Sequence, residues 1–516
     1  MSGAHSIGSW LPQRAALTPG RVALEFAGEQ VTYQELLSRS RSRAAAFSAA
    51  GLRHGDRVAV LAQNCPEQVE VFFACAMAGL VLVPLNWRLR ATELAYQLSD
   101  SGASLLLYGE SYAELAGDAL AECEGELEAE PLVAQETLET DWTAPGVEDD
   151  DPLLIIYTSG TTGHPKGAVL SHANTFWTNL SLDLTANVDS SDIVLQILPQ
   201  SHVGGWNVQP LLAWWKGAKV VLEPGFDAGR VLRIIEEKRV TTMMGVPTNY
   251  LLMAAHEDFA TADLSSLRQL VVGGAPMPVA LLDQWLARGV IVLQGYGLSE
   301  AAPNVLCVPS EYAKEKLGSA GRPYMHVEVA LRRLGGEEAD SRDGPLVFLR
   351  EAGSGELLVR GPNVFVGYWG NPEATARTLR DGWLLTGDVA ERDDDGFYWI
   401  RGRIKEMYIS GGENVYPAEV AEVISGHPLV LQAAVVGVPH PRWGETGYAF
   451  VVLKARSALS AEELDAYCRS RLATFKVPGH YSFVPELPYL SSGKLDMRGL
   501  GETALSRVGD GSGSKG

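Results

Sequence analysis

Arg57–Ala62 (RVAVLA), Cys65–Gly79 (CPEQVEVFFACAMAG) and Leu80–Asn86 (LVLVPLN) decide the fold class. Two short β-branched runs flank a longer amphipathic stretch, the rhythm of a strand, helix, strand unit with a parallel sheet. The rhythm returns between Asp192 and Gln294. There DIVLQILP, KVVLEP, VTTMMGVP, LRQLVVGG and VIVLQGYG read as strands and AGRVLRIIEEKR as a helix. Runs this apolar fit strands covered on both faces. Gly117–Asp151 is acidic and reads as a solvated connection. From Gly318 to Arg401 the texture shifts to short strands with Gly and Asp turns, a small β-rich unit. A second αβ texture follows Lys405, and the sequence RVGDGSGSKG reads as a frayed tail. The expected organisation is α/β. Its large N-terminal domain (1–402) combines parallel αβ sheets with the β-rich subdomain, an α+β C-terminal domain spans 403–505, and a flexible tail spans 506–516.

The 516 residues are 46% apolar, enough for about three compact units. A formal net charge of −21 repels phosphate backbones and anionic lipid surfaces, so bulk nucleic-acid binding is excluded. The most apolar stretch, Val69–Leu85, is short and carries Glu70, so no integral membrane association is expected. The start MSGAHSIGSW has no basic n-region and no apolar h-region, and the expected location is the cytoplasm. Five scattered cysteines with no C-x-x-C pair indicate neither a disulfide framework nor a zinc site.

Four segments carry chemistry. In Tyr157–Gly167 (YTSGTTGHPKG) glycines let the backbone approach a ligand, while Thr158, Ser159, Thr161, Thr162 and Lys166 offer hydroxyl and ammonium donors to phosphate oxygens. It is not a Walker A loop, because Pro165 precedes the lysine and Gly167 follows it. Gln294–Glu300 (QGYGLSE) ends a strand, where open α/β sheets bind ligands. There Tyr296 can stack on a purine, Ser299 can donate to phosphate, and Glu300 can hold Mg²⁺ through oxygen. In the third, WLLTGD followed by GRIKEMYISGGENVYP, Asp388 can accept ribose hydroxyls beside Arg403, and Gly411 and Gly412 permit close approach to a narrow ligand arm. The fourth, Leu490–Leu495 (LSSGKL), raises Lys494 on a Gly turn, and spacing alone does not single it out.

In this order the segments resemble the adenylate-forming superfamily, which includes acyl-CoA synthetases, firefly-type luciferases and peptide-synthetase adenylation domains. The resemblance runs from VTYQELLSRS near 31 to GKLDMR near 493 and is nearest to fatty and aryl acyl-CoA ligases. It implies that Thr158, Ser159, Gly160, Thr161, Thr162, Gly163 and Lys166 surround the β- and γ-phosphates. Gly274, Ala275 and Pro276 with Tyr296 and Gly297 would frame adenine; Ser299 would meet the α-phosphate and Glu300 the metal. Asp388 and Arg403 would hold ribose, Lys494 would bridge carboxylate and α-phosphate, and Lys405 would be the hinge of a mobile C-terminal domain. Gly411, Gly412 and Glu413 would face the thiol tunnel. Gly402 and Ala421 depart from the usual Asp and Glu of relatives.

The implied substrates are ATP, coenzyme A and a small-molecule carboxylic acid, with Mg²⁺ as cofactor. The acid would lie among His202, Val203, Gly204, Val246, Gly273 and Ala302, small or apolar residues apart from the histidine, which favours an apolar tail or a flat ring. No arginine or lysine in these stretches would pair with a second carboxylate. Medium or long fatty acids and benzoate-like or cinnamate-like acids stay open, as does a carrier protein in place of coenzyme A. A homodimer is compatible with the sequence.

Overall fold

The computed structural model describes residues 3–125, 127–135, 141–158, 164–186, 188–334, 346–349, 351–490 and 495–509. Arg57–Leu61 and Val81–Leu85 are parallel neighbours in a seven-stranded sheet, joined by the helix Pro66–Ala78. Val58 and Val60 face one hydrophobic core while Ala59 and Leu61 face another. Burial on both faces is why the run is continuously apolar rather than alternating.

The nine-stranded sheet places Val292–Gly297, Gln269–Val272, Thr242–Gly245 and Ile193–Gln196 side by side and parallel. Lys219–Leu222 and Val22–Phe26 continue it in parallel, and antiparallel strands close both edges. One core joins the facing sides of the two sheets through the helices Tyr33–Ala49, Pro66–Ala78, His172–Ala186 and Pro210–Lys216. Phe72 stacks on Trp206 with ring centroids 4.7 Å apart in this layer.

A third, antiparallel sheet holds Glu328–Arg332, Gly353–Arg360, Leu379–Arg380, Trp383–Arg392 and Tyr398–Arg403. The remaining sheet combines Tyr408–Ser410, Glu413–Val415, Val430–His440 and Gly444–Leu453 with a parallel strand, His480–Phe483. Only the turn at 404–407 separates Arg403 from it.

Two expectations are corrected. The acidic connection is not all solvated coil: the helix Ala113–Glu122 enters it, and Glu128–Pro131 adds an edge strand to the seven-stranded sheet. Leu120, Leu127 and Ala129 anchor both to a buried cluster. The tail does not begin at 506, since a helix runs Met497–Gly509. Its Leu500, Ala504 and Val508 recur at helical spacing against the C-terminal strands, and Arg507 lies over the Phe450 ring at 5.6 Å.

His172 opens the helix His172–Ala186 and is wholly buried. Its Nδ1 accepts the backbone N–H of Ile7 at 3.1 Å, tying the N-terminal segment to the sheet. Burial pulls the imidazole down to about 4, against the opposing pull of Asp151 and Asp149. The unfolded chain therefore takes up this proton near pH 6.5 while the folded chain resists it, so stability is present above that pH and lost on acidification toward pH 4. Urea unfolding is expected to show a loss of roughly 3 kcal/mol between pH 7 and pH 4 from this group, and His172→Gln is expected to flatten that part of the profile.

Candidate active site

Four loops converge because their strands are adjacent and parallel. Pro199–Gly205, Val246, Gly273–Pro276 and Gly297–Ala302 follow the carboxyl ends of the strands 193–196, 242–245, 269–272 and 292–297. This edge brings together the expected acyl and adenine segments, the position where open α/β sheets take ligands. Gly273 N–H donates to the Gly245 carbonyl at 3.2 Å, so the second and third loops touch. Gly274 has φ +81, and a Cβ on it would meet Val246 Cγ1 at 3.5 Å. Gly297 is required for space: a Cβ would collide with the Pro303 carbonyl. Ala275 and Pro276 precede Met277, whose N–H is held by Gln294 Oε1 at 3.0 Å. His202 is half-buried, and Val203 is buried at the start of the short helix Gly204–Asn207.

The expected ribose residues assemble from three strands. Asp388 and Arg403 are cross-strand partners, and Arg403 Nε lies 3.1 Å from Asp388 Oδ1. Tyr296 Oη donates to Asp388 Oδ2 at 2.6 Å. Asp388 is 7% exposed and Arg403 50%, so the carboxylate is fixed from below while the guanidinium keeps one side in solvent. Burial, then the negative Asp388 and the bond to it, push the Tyr296 phenol well up, so it remains a donor at neutral pH. Thr386 Oγ1 accepts the Asp388 N–H at 3.1 Å and donates to the Leu357 carbonyl at 2.7 Å. Sequence reasoning passed over Thr386, although TGD carries the turn that needs it.

Glu300 lies on the turn Ser299–Ala301 that leaves the strand 292–297. Tyr368 Oη donates to its Oε1 at 2.8 Å, and Lys166 Nζ sits 5.0 Å from the centre of the Tyr368 ring. Thr158 and Lys166 are cross-strand partners that close the base of the hydroxyl loop. Ser159, Gly160, Thr161, Thr162 and Gly163 lie outside the described residues, as does Lys494. Tyr368 was not anticipated. Among the described residues no cluster of three metal-ligating side chains occurs, and Glu300 would offer a metal one carboxylate of hard oxygens. It fits Mg²⁺ shared with nucleotide phosphates rather than a protein cage.

Lys405 occupies the exposed turn after Arg403, where Ile404 N–H donates to the Gly387 carbonyl at 2.9 Å. Gly411 (φ +63) and Gly412 (φ +89) form a two-residue hairpin loop between Ser410 and Glu413. Nothing lies within 4 Å of a Cβ on Gly412, so the turn's backbone, not a close neighbour, requires glycine there.

The arrangement places a buried carboxylate held by an arginine and a tyrosine near a second carboxylate and an ammonium that makes no ion pair among the described residues. Tyr296→Phe removes a hydrogen bond to a buried carboxylate, an interaction of about 1.5–3 kcal/mol. It is expected to raise the Kd for AMP about tenfold in calorimetry, with the unfolding midpoint little changed.

Known proteins are similar to this chain over most of its length. The family model described as AMP-binding enzyme matches residues 11–369, and that of the AMP-binding enzyme C-terminal domain matches 419–494. A feruloyl-CoA synthase of Amycolatopsis sp is 44% identical over 95% of this chain and 97% of its own. An indoleacetate–CoA ligase of Aromatoleum aromaticum is 38% identical over 95% of this chain and 96% of its own. The o-succinylbenzoate CoA synthetase of Bacillus subtilis, solved with its acyl-adenylate intermediate, superposes with TM-score 0.82 at 33% identity, covering 95% of this chain and 97% of that one. The same synthetase is also solved with ATP and a magnesium ion.

Proposed function

Because the chain belongs to the family of AMP-binding enzymes, matched over residues 11–369 and 419–494, we propose that it is an ATP-dependent, AMP-forming ligase joining an aryl acid to coenzyme A. The observation that carries the nucleotide part is the meeting of Tyr296, Asp388 and Arg403 beside Glu300 and Lys166. A carboxylate oxygen attacks the α-phosphorus of ATP, the bond to pyrophosphate breaks, and an acyl-adenylate results. The thiolate of coenzyme A then attacks the acyl carbon and AMP leaves. Asp388 and Arg403 hold the ribose, Tyr296 and Gly274–Pro276 frame the adenine, and Ser299 meets the α-phosphate. Glu300 holds Mg²⁺, which supplies charge neutralisation on the phosphate oxygens when bound. Lys494 bridges the two reacting groups in the first step and is withdrawn for the second by rotation of the C-terminal unit about the turn at Lys405. Glu413 and the glycine hairpin then face the thiol.

The acid is proposed to be a hydroxylated or methoxylated cinnamate-like ring. Two observations support an aryl over a plain fatty acid: the feruloyl-CoA synthase similarity, and the polar groups at the inner end of the Gln200–Asn207 segment. Asn207 Nδ2, Asn179 Oδ1 and Gln209 Oε1 are buried without a hydrogen-bond partner among the described residues. Asn179 Nδ2 reaches Asn207 Oδ1 at 3.4 Å, and Asn304 Nδ2 reaches the Asn207 carbonyl at 3.4 Å. Buried unpaired amides are costly, and a ring substituent bearing both donor and acceptor capacity would satisfy them. The cytoplasm is the proposed location. Its support is that no helix among the described residues is long and apolar enough to cross a membrane, and that all five cysteines are free thiols.

Pyrophosphate release over a panel of fatty acids, benzoates and cinnamates, with and without coenzyme A, tests the reading. Ferulate or 4-hydroxycinnamate is expected to exceed unsubstituted cinnamate by about tenfold or more in kcat/KM, the worth of one satisfied polar contact. A preference for long aliphatic acids would overturn the aryl assignment. For the two-step scheme, Lys494→Ala is expected to lose at least about 10²-fold in adenylate formation while still converting supplied acyl-AMP to thioester. Equal loss of both half-reactions contradicts it.

A further inference from the structure

We propose that Tyr368 is a positioning residue: one ring keeps the Glu300 carboxylate and the Lys166 ammonium apart, so that each keeps its charge for metal and phosphate. The proposal rests on the nucleotide-site reading above and adds to it a residue which that reading leaves idle.

The geometry follows from strand register. Tyr368 ends the two-residue strand Gly367–Tyr368 and pairs with Ala168, two positions from Lys166 on the partner strand. Side chains two apart on a strand share a face, so Lys166 and Tyr368 are diagonal neighbours across the ladder. The ammonium lies 5.0 Å from the ring centre, within cation–π range. At the far end of the same ring, the hydroxyl donates to Glu300 Oε1 at 2.8 Å.

One ring contact and two backbone bonds hold this segment in place. Tyr368 N–H donates to Thr375 Oγ1 at 2.9 Å, and Phe365 packs edge-on with centroids 4.9 Å apart. Phe365 N–H in turn donates to the Glu300 carbonyl at 2.9 Å, so the backbone that carries the ring also grips the backbone that carries the carboxylate. Among the described residues Glu300 Oε2 takes no hydrogen bond, and Lys166 makes no ion pair.

A lysine and a glutamate that contact the same side chain would, if paired directly, neutralise each other. The ring offers the lysine a weak partner and the glutamate a neutral one. The hydroxyl engages one carboxylate oxygen and leaves the other to a cation, as groups behind a metal ligand commonly do.

Two substitutions divide the roles. Tyr368→Phe keeps the ring under Lys166 and deletes the bond to Glu300; Tyr368→Leu deletes both. The first readout is Mn²⁺ affinity of the enzyme saturated with a non-hydrolysable ATP analogue, followed by electron paramagnetic resonance. The Phe variant is expected to bind Mn²⁺ about tenfold more weakly, with AMP affinity unchanged because AMP lacks the β- and γ-phosphates. Its pyrophosphate release is expected to need about tenfold more Mg²⁺ and to recover at high Mg²⁺, whereas the Leu variant is expected to keep a deficit that Mg²⁺ does not repair. Wild-type Mn²⁺ affinity in the Phe variant, or a parallel fall in its AMP affinity, would overturn the proposal. A wild-type enzyme that binds neither AMP nor the ATP analogue would instead overturn the nucleotide-site reading itself.

Discussion

The site depends on one clasp of backbone, Gly361–Trp369, which ties the two large sheets together. Asn363 Nδ2 donates to the carbonyls of Ala301 and Asn304 at 2.9 and 3.0 Å, fixing the clasp to the end of the nine-stranded sheet. Asn174 Nδ2 donates to the carbonyls of Pro362 and Val364 at 2.9 and 2.8 Å, fixing it to the helix that leaves the seven-stranded sheet. Val366 and Trp369 N–H groups then donate to the carbonyls of Val169 and Gly167. Both asparagines are buried, so these bonds are made where unpaired carbonyls would cost about 1–3 kcal/mol each. Lys166 and Glu300 sit on different sheets, and this clasp is what makes their separation a defined distance.

The residues proposed to hold the nucleotide divide along the same line. Tyr296, Glu300 and the Gly273–Pro276 turn belong to the nine-stranded sheet, Thr158 and Lys166 to the seven-stranded one, and Asp388 with Arg403 to the antiparallel sheet. Two tyrosines cross the seams: Tyr296 to Asp388 and Tyr368 to Glu300. In each case a phenol donates to a carboxylate from another sheet. A neutral donor orients an acid without cancelling its charge, which suits groups that must still receive ribose hydroxyls or a cation.

How much of this was legible follows from burial. Strands covered on both faces, such as Arg57–Leu61, are apolar throughout and could be read directly. The hairpin Val22–Thr32 was not, because its outer strand is half exposed, Glu25 and Glu29 interrupt the pattern, and its turn uses Ala27 at φ +51 instead of an Asn-Gly pair. Tyr296, Asp388 and Lys166 were legible as members of motifs rich in turn residues. Tyr368 was hidden because its meaning lies in Glu300, 68 positions away, and in a two-residue strand too short to leave a pattern. Gly411 and Gly412 were seen, but the conformation that needs them is a hairpin turn, which sequence alone did not distinguish from close approach to a ligand.

The overall charge sharpens the role of these pairs. A chain of net charge −21 draws in an anionic nucleotide only through local cations, because beyond a Debye length of about 8 Å its own field is screened. Arg403 and Lys166 meet that need differently. Arg403 lies 3.1 Å from Asp388, so much of its charge is already spoken for and its main effect is to orient. Lys166 rests on an aromatic face, an attraction of about 0.5–2 kcal/mol that is easily exchanged for a phosphate oxygen. Had the lysine instead been paired with Glu300, a phosphate would first have to break that pair and leave the carboxylate uncompensated in a partly dry cleft. A ring between them removes that penalty, so the two charges are left open, the lysine to a phosphate oxygen and the carboxylate to a cation.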